Sequence, residues 1–240
     1  MKSLSLVLPV WNEETFIADV VEDIVKTLEE NKVDYELLLV ENGSSDASLQ
    51  VIQNLNKRNP RCRVVIQPKG YGSAVIGGLR KATMELVAYM PSDGQIEPGV
   101  LIDLLRIMDS GKYDLAKINR VRRESAFRTY LSYLFNFLTR MLFGLSSKDI
   151  NGSPKIFSAK WVPILNLKST ENLVDTEMMA KASRLKLKVY EIETQSHQRK
   201  AGKSHVNLRT IVQFFSELIQ LRFSDELKNF NGKSCKLEGV

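Results

Sequence analysis

Leu4-Ser5-Leu6-Val7-Leu8-Pro9-Val10, followed at once by Trp11-Asn12-Glu13-Glu14, is the stretch on which the reading of this chain turns. Its apolar run is too short for a signal peptide and ends in a proline, so it reads as a first strand over 3–10, buried in a sheet. A chain that begins this way is expected to start folded and cytosolic. Working outward, an amphipathic helix is predicted over 14–31 and a strand over 35–41. A helix over 45–58 follows, opened by a Ser/Asp cap, then a strand over 63–67, a helix over 72–83 and a strand over 85–90. That alternation predicts an α/β fold with a mostly parallel central sheet and helices on both faces.

Beyond Asp93 the helices lengthen. The pattern predicts helices over 100–109, 125–143, 175–185 and 208–228, and strands over 114–118, 154–158 and 188–193, with a polar tail over 229–240 expected to fray. No repeat or low-complexity linker divides the chain, so 1–228 is expected to be one domain with halves at 1–110 and 111–228.

Composition bounds the function. The 240 residues are 43% hydrophobic and 26% charged, which excludes a disordered or fibrous chain. The net charge of +6 is uneven: residues 1–60 hold five basic and eleven acidic side chains, residues 112–160 ten and three. A basic second half suits an anionic partner such as a phosphate, a nucleic acid or a membrane surface, and equally a solvated basic face. Cys62 and Cys235 stand far apart without neighbours at metal-ligand spacing, so neither a disulfide framework nor a zinc site is indicated. Arg140, Glu217 and Arg222 interrupt the apolar stretches 131–145 and 211–223, which fall short of the roughly 18 uncharged residues a spanning helix needs.

In an open parallel sheet, ligands bind at the carboxyl ends of the strands. Four successive strand ends here are polar: Trp11-Asn12-Glu13-Glu14, Glu41-Asn42-Gly43-Ser44-Ser45-Asp46, Lys69-Gly70-Tyr71-Gly72 and Pro91-Ser92-Asp93-Gly94-Gln95. Singly, each also reads as a turn or a helix cap. Jointly they supply an aromatic ring, carboxylates and glycines, a set suited to a nucleotide diphosphate with a divalent cation.

Leu8-Pro9-Val10-Trp11-Asn12-Glu13-Glu14, Val40-Glu41-Asn42-Gly43-Ser44-Ser45-Asp46, and Gly70-Tyr71-Gly72-Ser73-Ala74 with Gly77-Gly78 resemble the motifs of the family 2 glycosyltransferases. Within that GT-A family the chain is similar to the dolichyl- or polyprenyl-phosphate sugar transferases, from about Leu4 to about Ser204. The resemblance implies an inverting hexosyltransferase of mannose or glucose type, with residues 1–110 binding the nucleotide sugar and 111–228 the acceptor. It places Pro9, Trp11, Glu13, Glu41, Gly70, Ser92 and Asp93 around the donor. It also implies Mg²⁺ or Mn²⁺ on Asp93 and Gln95, in a motif where Pro91 replaces the first aspartate of the relatives. Arg120, Arg128, Arg199 and Ser204 correspond to the set that grips a lipid phosphate, and guanidinium groups suit that task as permanent bidentate donors.

Asp175-Thr176-Glu177-Met178 resembles the family's acidic motif near the acceptor, so Asp175 joins Asp93 as a candidate catalytic residue. A hydroxyl acceptor would need Asp175 as general base. A phosphomonoester, with a second pKa near ~6, is already largely dianionic and needs positioning instead. Both acceptors stay open on sequence, as does a non-catalytic nucleotide-sugar or nucleic-acid binder that has lost its metal carboxylate; no nucleic-acid motif supports the last. The aromatic stretch 127–138 suits either a membrane interface or packing over the sheet. The expected partners are therefore a nucleotide diphosphate sugar, a lipid phosphate and a peripheral contact with the cytoplasmic face of a membrane, direct or through a membrane protein.

Overall fold

The structure is a computed structural model and describes residues 1–122, 126–195 and 208–230. Strands β1 (Leu4–Val10), β2 (Tyr35–Glu41), β3 (Cys62–Ile66), β4 (Leu86–Tyr89), β5 (Leu115–Arg122), β6 (Lys155–Ser158) and β7 (Val189–Gln195) form one sheet in the order β3-β2-β1-β4-β6-β5-β7. Every pairing is parallel except those of β6, which runs antiparallel to both β4 and β5. The expected mostly parallel α/β sheet is what the chain builds.

Both faces are covered, which is why β1 and β2 read as unbroken apolar runs and are buried at every position. Leu4, Leu6, Leu8, Leu37 and Leu39 pack beneath helices α1 (Ile17–Glu30), α2 (Ser48–Arg58) and α4 (Gly99–Asp109). Val7, Leu38, Val40 and Val87 face the other way, against α3 (Tyr71–Lys81) and α7 (Val174–Arg184). Helix α1 buries Ile17, Val20, Val21, Ile24 and Leu28, the stripe expected of a helix with one face on a sheet.

Several expectations are corrected. The helix predicted over 45–58 starts only at Ser48, because Asp46 turns back to accept the Ser48 N–H at 3.0 Å from outside the helix. Strand β5 runs on to Arg122, held by its parallel register with β7. A short helix α6 (Trp161–Leu165) was not foreseen. The single helix predicted over 208–228 is two, α8 (Leu208–Phe223) and α9 (Asp225–Asn229): Ser224 is extended and its hydroxyl accepts the Leu227 N–H at 3.2 Å, a cap that starts a new helix. Asn229 therefore belongs to α9 rather than to the tail. Helix α5 (Ala126–Phe143) matches its prediction to within a residue. Among the described residues no helix is long and apolar enough to cross a membrane.

This topology gathers the carboxyl ends of β1, β2, β3 and β4 on one edge of the sheet. Because β6 is reversed, its first residue, Lys155, also lies there, paired with Tyr89 at the end of β4.

Candidate active site

The loops after β1 and β2 are locked together. Asn12, at a positive φ of 54°, accepts the Ser45 N–H at 2.8 Å through its side chain and gives its own N–H to the Ser44 hydroxyl at 3.1 Å. The Glu13 N–H bonds the Ser48 hydroxyl at 2.7 Å, and the Glu14 carboxylate takes the Ala47 N–H at 2.7 Å. Burial works against the charge of Asp46, but the Ser48 hydroxyl and the backbone N–H groups of Ser48 and Glu14 outweigh it and hold the carboxyl below its ordinary value. The Ser92 hydroxyl ties the β4 end to this rim through the Pro9 carbonyl, at 2.5 Å, and the Glu13 carboxylate.

The predicted donor residues thus meet at one place. Trp11 is exposed, and the Lys69 ammonium from the end of β3 lies 4.9 Å from its ring centroid. Glu41 is buried and its Oε1 accepts the N–H groups of Gly43 at 2.9 Å and Ser44 at 2.5 Å, so it shapes the turn from within. In the glycine-rich segment the small residue at position 72 is required by the protein's own packing. A Cβ on Gly72 would stand 2.1 Å from the Ser169 carbonyl and 2.7 Å from that of Glu171. It is the protein's own 169–171 segment that lies against Gly72, and the Ser73 N–H donates to the Thr170 carbonyl at 2.8 Å. That segment is pinned by the buried Glu177, which accepts the N–H groups of Lys168 and Ser169.

Asp93 and Gln95 stand together after β4, the Gln95 N–H reaching Asp93 Oδ1 at 3.2 Å. Among the described residues no three His, Cys, Asp or Glu side chains group as a metal cage. One carboxylate and one carboxamide nevertheless match the way Mg²⁺ is commonly held, with substrate phosphates and water completing its shell. The donor set fits a cation that arrives with a diphosphate, and does not fit a resident ion held by protein alone.

Next to this site lies a group of buried charges. Tyr89, Lys155 and Lys117 sit side by side on β4, β6 and β5. Asp175, at the start of α7, accepts the Tyr89 hydroxyl at 2.6 Å and the fully buried Lys155 ammonium. Burial drives the Lys155 pKa down against the pull of Asp175, and drives the Tyr89 hydroxyl well above its usual value with help from Asp175. Lys117 is also fully buried. It donates to the carbonyls of Ile118 and Asp149 and to Ser147 and Glu191, and burial together with Lys155 pushes its pKa down to about 8.

Arg120 donates through Nε and Nη2 to Asp149, at 2.7 and 3.1 Å. Burial opposes its charge, yet Asp149 more than compensates and raises its pKa. Of the other predicted phosphate ligands, Arg128 belongs to α5, but its side chain is outside the described residues, as are Arg199 and Ser204 entirely. Sequence reading places Lys69 at a polar strand end without assigning it a role, and finds in 149–153 a resemblance to a loop of the family without a role for Asp149; it missed Lys117 and Lys155. A signal for the two lysines existed: each stands within a short apolar strand, Leu115-Ala116-Lys117-Ile118 and Lys155-Ile156-Phe157, where a charge demands a partner.

The profile of glycosyl transferase family 2 matches residues 5–162, well over half of the chain. The chain belongs to glycosyl transferase family 2. Among curated members of known name, it is 26% identical over 220 residues to an undecaprenyl-phosphate 4-deoxy-4-formamido-L-arabinose transferase of Edwardsiella ictaluri, covering 90% of this chain and 66% of that protein. The protein of the same name from Proteus mirabilis is 29% identical over 152 residues, 62% of this chain and 47% of its own length. The chain thus spans between about half and two thirds of these relatives. Among solved structures, glucosyl-3-phosphoglycerate synthase from Mycobacterium tuberculosis, in complex with Mn²⁺, UDP and glucosyl-3-phosphoglycerate, superposes with a TM-score of 0.72 at 19% identity, over 92% of this chain and 80% of that one. That likeness fixes the fold of this family 2 member as GT-A.

Proposed function

We propose that this protein is an inverting transferase that moves a hexose, of mannose or glucose type, from a nucleotide diphosphate sugar to a polyprenyl or dolichyl phosphate at the cytoplasmic face of a membrane. The observation that carries the choice of acceptor is Asp175. A hydroxyl acceptor needs a base with room to take a proton. Asp175 is buried and already bonded by Tyr89 and Lys155, which suits a counter-ion that keeps a lysine charged beside the site. A phosphate dianion asks for no such base, and the charge of Arg120 near the strand ends supports the reading that it holds one. The names of the curated relatives agree with a polyprenyl phosphate.

In this reading residues 1–110 bind the donor and 111–228 the acceptor. Trp11 and Lys69 border the nucleobase and phosphates, Glu13 and Ser92 close the rim, and Glu41 and Gly70 shape the adjoining turns. Asp93 and Gln95 would hold Mg²⁺ or Mn²⁺, which when bound offsets charge on the departing diphosphate. Arg120, with Arg128, Arg199 and Ser204, orients the acceptor phosphate for a single displacement at the anomeric carbon, and inversion follows from that single step. Peripheral membrane contact is supported by an exposed ridge: Tyr133, Phe137 and Met141 recur every four residues on α5, and Ile219 and Phe223 continue on α8. The two helices are joined where Arg222 donates to the Leu142 carbonyl at 2.7 Å.

The test is direct. Purified protein with Mn²⁺ or Mg²⁺ is incubated with UDP- and GDP-hexoses and with polyprenyl phosphate in vesicles, and lipid-linked sugar is extracted. Its formation with one donor supports the reading. Transfer to a soluble hydroxyl acceptor without transfer to the lipid phosphate would overturn it, as would an absence of any transfer by protein that binds the donor.

A further inference from the structure

We propose that Asp149 is a positioning residue for the acceptor phosphate, acting through Arg120; the inference rests on the acceptor reading above and assigns a role to the turn Asp149-Ile150-Asn151-Gly152-Ser153. Asp149 is 2% exposed and receives three N–H groups from one residue: the Arg120 backbone N–H at 3.2 Å, Nε at 2.7 Å and Nη2 at 3.1 Å. This two-point grip fixes the plane of the guanidinium and leaves the Nη1 edge to engage an oxyanion. The Arg120 side chain is 18% exposed while its partner is sealed, so the guanidinium keeps an open side. Arg120 also stands where the register of β5 against β7 shifts, between Arg120 and Arg122, and such irregularities re-aim side chains at the ends of strands. The charge of Asp175 also acts on it, so it lies beside the buried Lys155–Asp175 pair at the strand-end site.

The turn that carries Asp149 is itself held from several sides. Its carbonyl accepts the Lys117 ammonium and, at 3.0 Å, the Gly152 N–H; the Ile150 N–H donates to Asn136 at 2.8 Å. Gly152 lies so close to β5 that a Cβ would stand 2.1 Å from the Ile118 carbonyl. The carboxylate is therefore delivered to Arg120 by a rigid support, and the arginine meets its ligand already ordered.

The experiment measures initial rates against acceptor concentration for wild type, Asp149→Asn, Arg120→Ala and the double variant, with donor-nucleotide affinity as the check on folding. Asp149→Asn is expected to raise the acceptor KM by on the order of ten- to a hundredfold while donor affinity is kept. In the Arg120→Ala background the same change is expected to add nothing, because the residue it acts through is gone. Independent, additive effects of the two substitutions on KM would overturn the proposal and leave Asp149 a structural residue. An unchanged acceptor KM in Arg120→Ala would sink the acceptor reading itself, and this inference with it. Should Asp149→Asn fail to bind donor, Asp149→Glu keeps the charge and displaces it by one methylene; a raised acceptor KM at unchanged kcat supports the proposal, and a wild-type KM overturns it.

Discussion

The two regions of the sheet edge that the proposed function assigns to donor and acceptor, the donor rim and the acceptor side, are built on opposite principles. At the donor rim, short polar side chains and backbone N–H groups from consecutive loops cap one another, as Asn12, Glu14, Ser45, Asp46 and Ser48 do. Most bonds there join the loop after β1 to the loop after β2, are largely solvated and are individually modest, on the order of 1 kcal/mol. On the acceptor side, whole charges are buried in strands: Lys117 and Lys155 are fully buried, and their partners Glu191 and Asp175 come from β7 and α7. A rim of caps can lose one member and persist, whereas a buried charge that loses its partner is left in a medium that solvates it poorly. The acceptor side should therefore be brittle and the donor rim tolerant.

The largest break is expected at Asp175 and Lys155. Lys155→Met should cost about 3–5 kcal/mol in denaturant unfolding, since it leaves the Asp175 carboxylate buried without its cation. Adding Asp175→Leu to Lys155→Met should recover most of that loss while leaving the protein inactive. If Lys155→Met costs no more than a surface change, the pair is not the brittle element described.

Lys117 sharpens the same point through pH. Burial pushes its pKa in the folded protein down to about 8 from the ordinary 10.5, so between these values the unfolded chain binds the extra proton and raising the pH favours the folded state. Below about pH 8 both states are protonated at this lysine and the burial cost is fully present. The stability of wild type relative to Lys117→Met should thus climb from pH 8 to pH 10, by up to roughly 3 kcal/mol at about 1.4 kcal/mol per pKa unit. A flat difference across that window would show that the ammonium is better solvated than its partners imply.

The same contrast governs what the sequence disclosed. The donor rim was legible because its signals are local: an apolar run, then Asn, Gly, Ser and Asp, at four strand ends in succession. The acceptor side depends on which strands become neighbours. Nothing near Lys155 announces that β6 inserts antiparallel between β4 and β5 and so brings that lysine beside Tyr89 and Lys117. Nor does Gly72 reveal that residues 169–171 will cross it, a contact nearly a hundred residues away in the chain. Ser224-Asp225-Glu226 is different, since a Ser followed by two acidic residues is itself a helix-start signal, set within an apolar periodicity that reads as one continuous helix.

Gly72 is the place where the donor end stops being tolerant. Gly72→Ala sets a methyl against two backbone carbonyls and should cost about 1–3 kcal/mol, because neither α3 nor the segment held by Glu177 can move cheaply. Thermal unfolding would read the loss. A neutral result would mean that the 169–171 segment yields, and that the tolerance of the rim extends to its floor.

Trp11 should separate stability from function most cleanly, and with the smallest effect on the fold. Its side chain is 39% exposed, and among the described residues it faces the Lys69 ammonium from the end of β3. An exposed cation and ring contribute little to folding, so Trp11→Ala should change stability by less than about 0.5 kcal/mol. A nucleobase stacked on an aromatic ring gains about 1–3 kcal/mol, so the same substitution should weaken binding of the donor nucleotide by tenfold or more. Titration of the nucleotide into both proteins by calorimetry, alongside their melting curves, reads the two quantities independently. A variant that melts like wild type and binds donor equally well would remove Trp11 from the site. One that loses stability in proportion to affinity would show instead that the ring belongs to the capped rim, and that the rim is less divisible than its local bonds suggest.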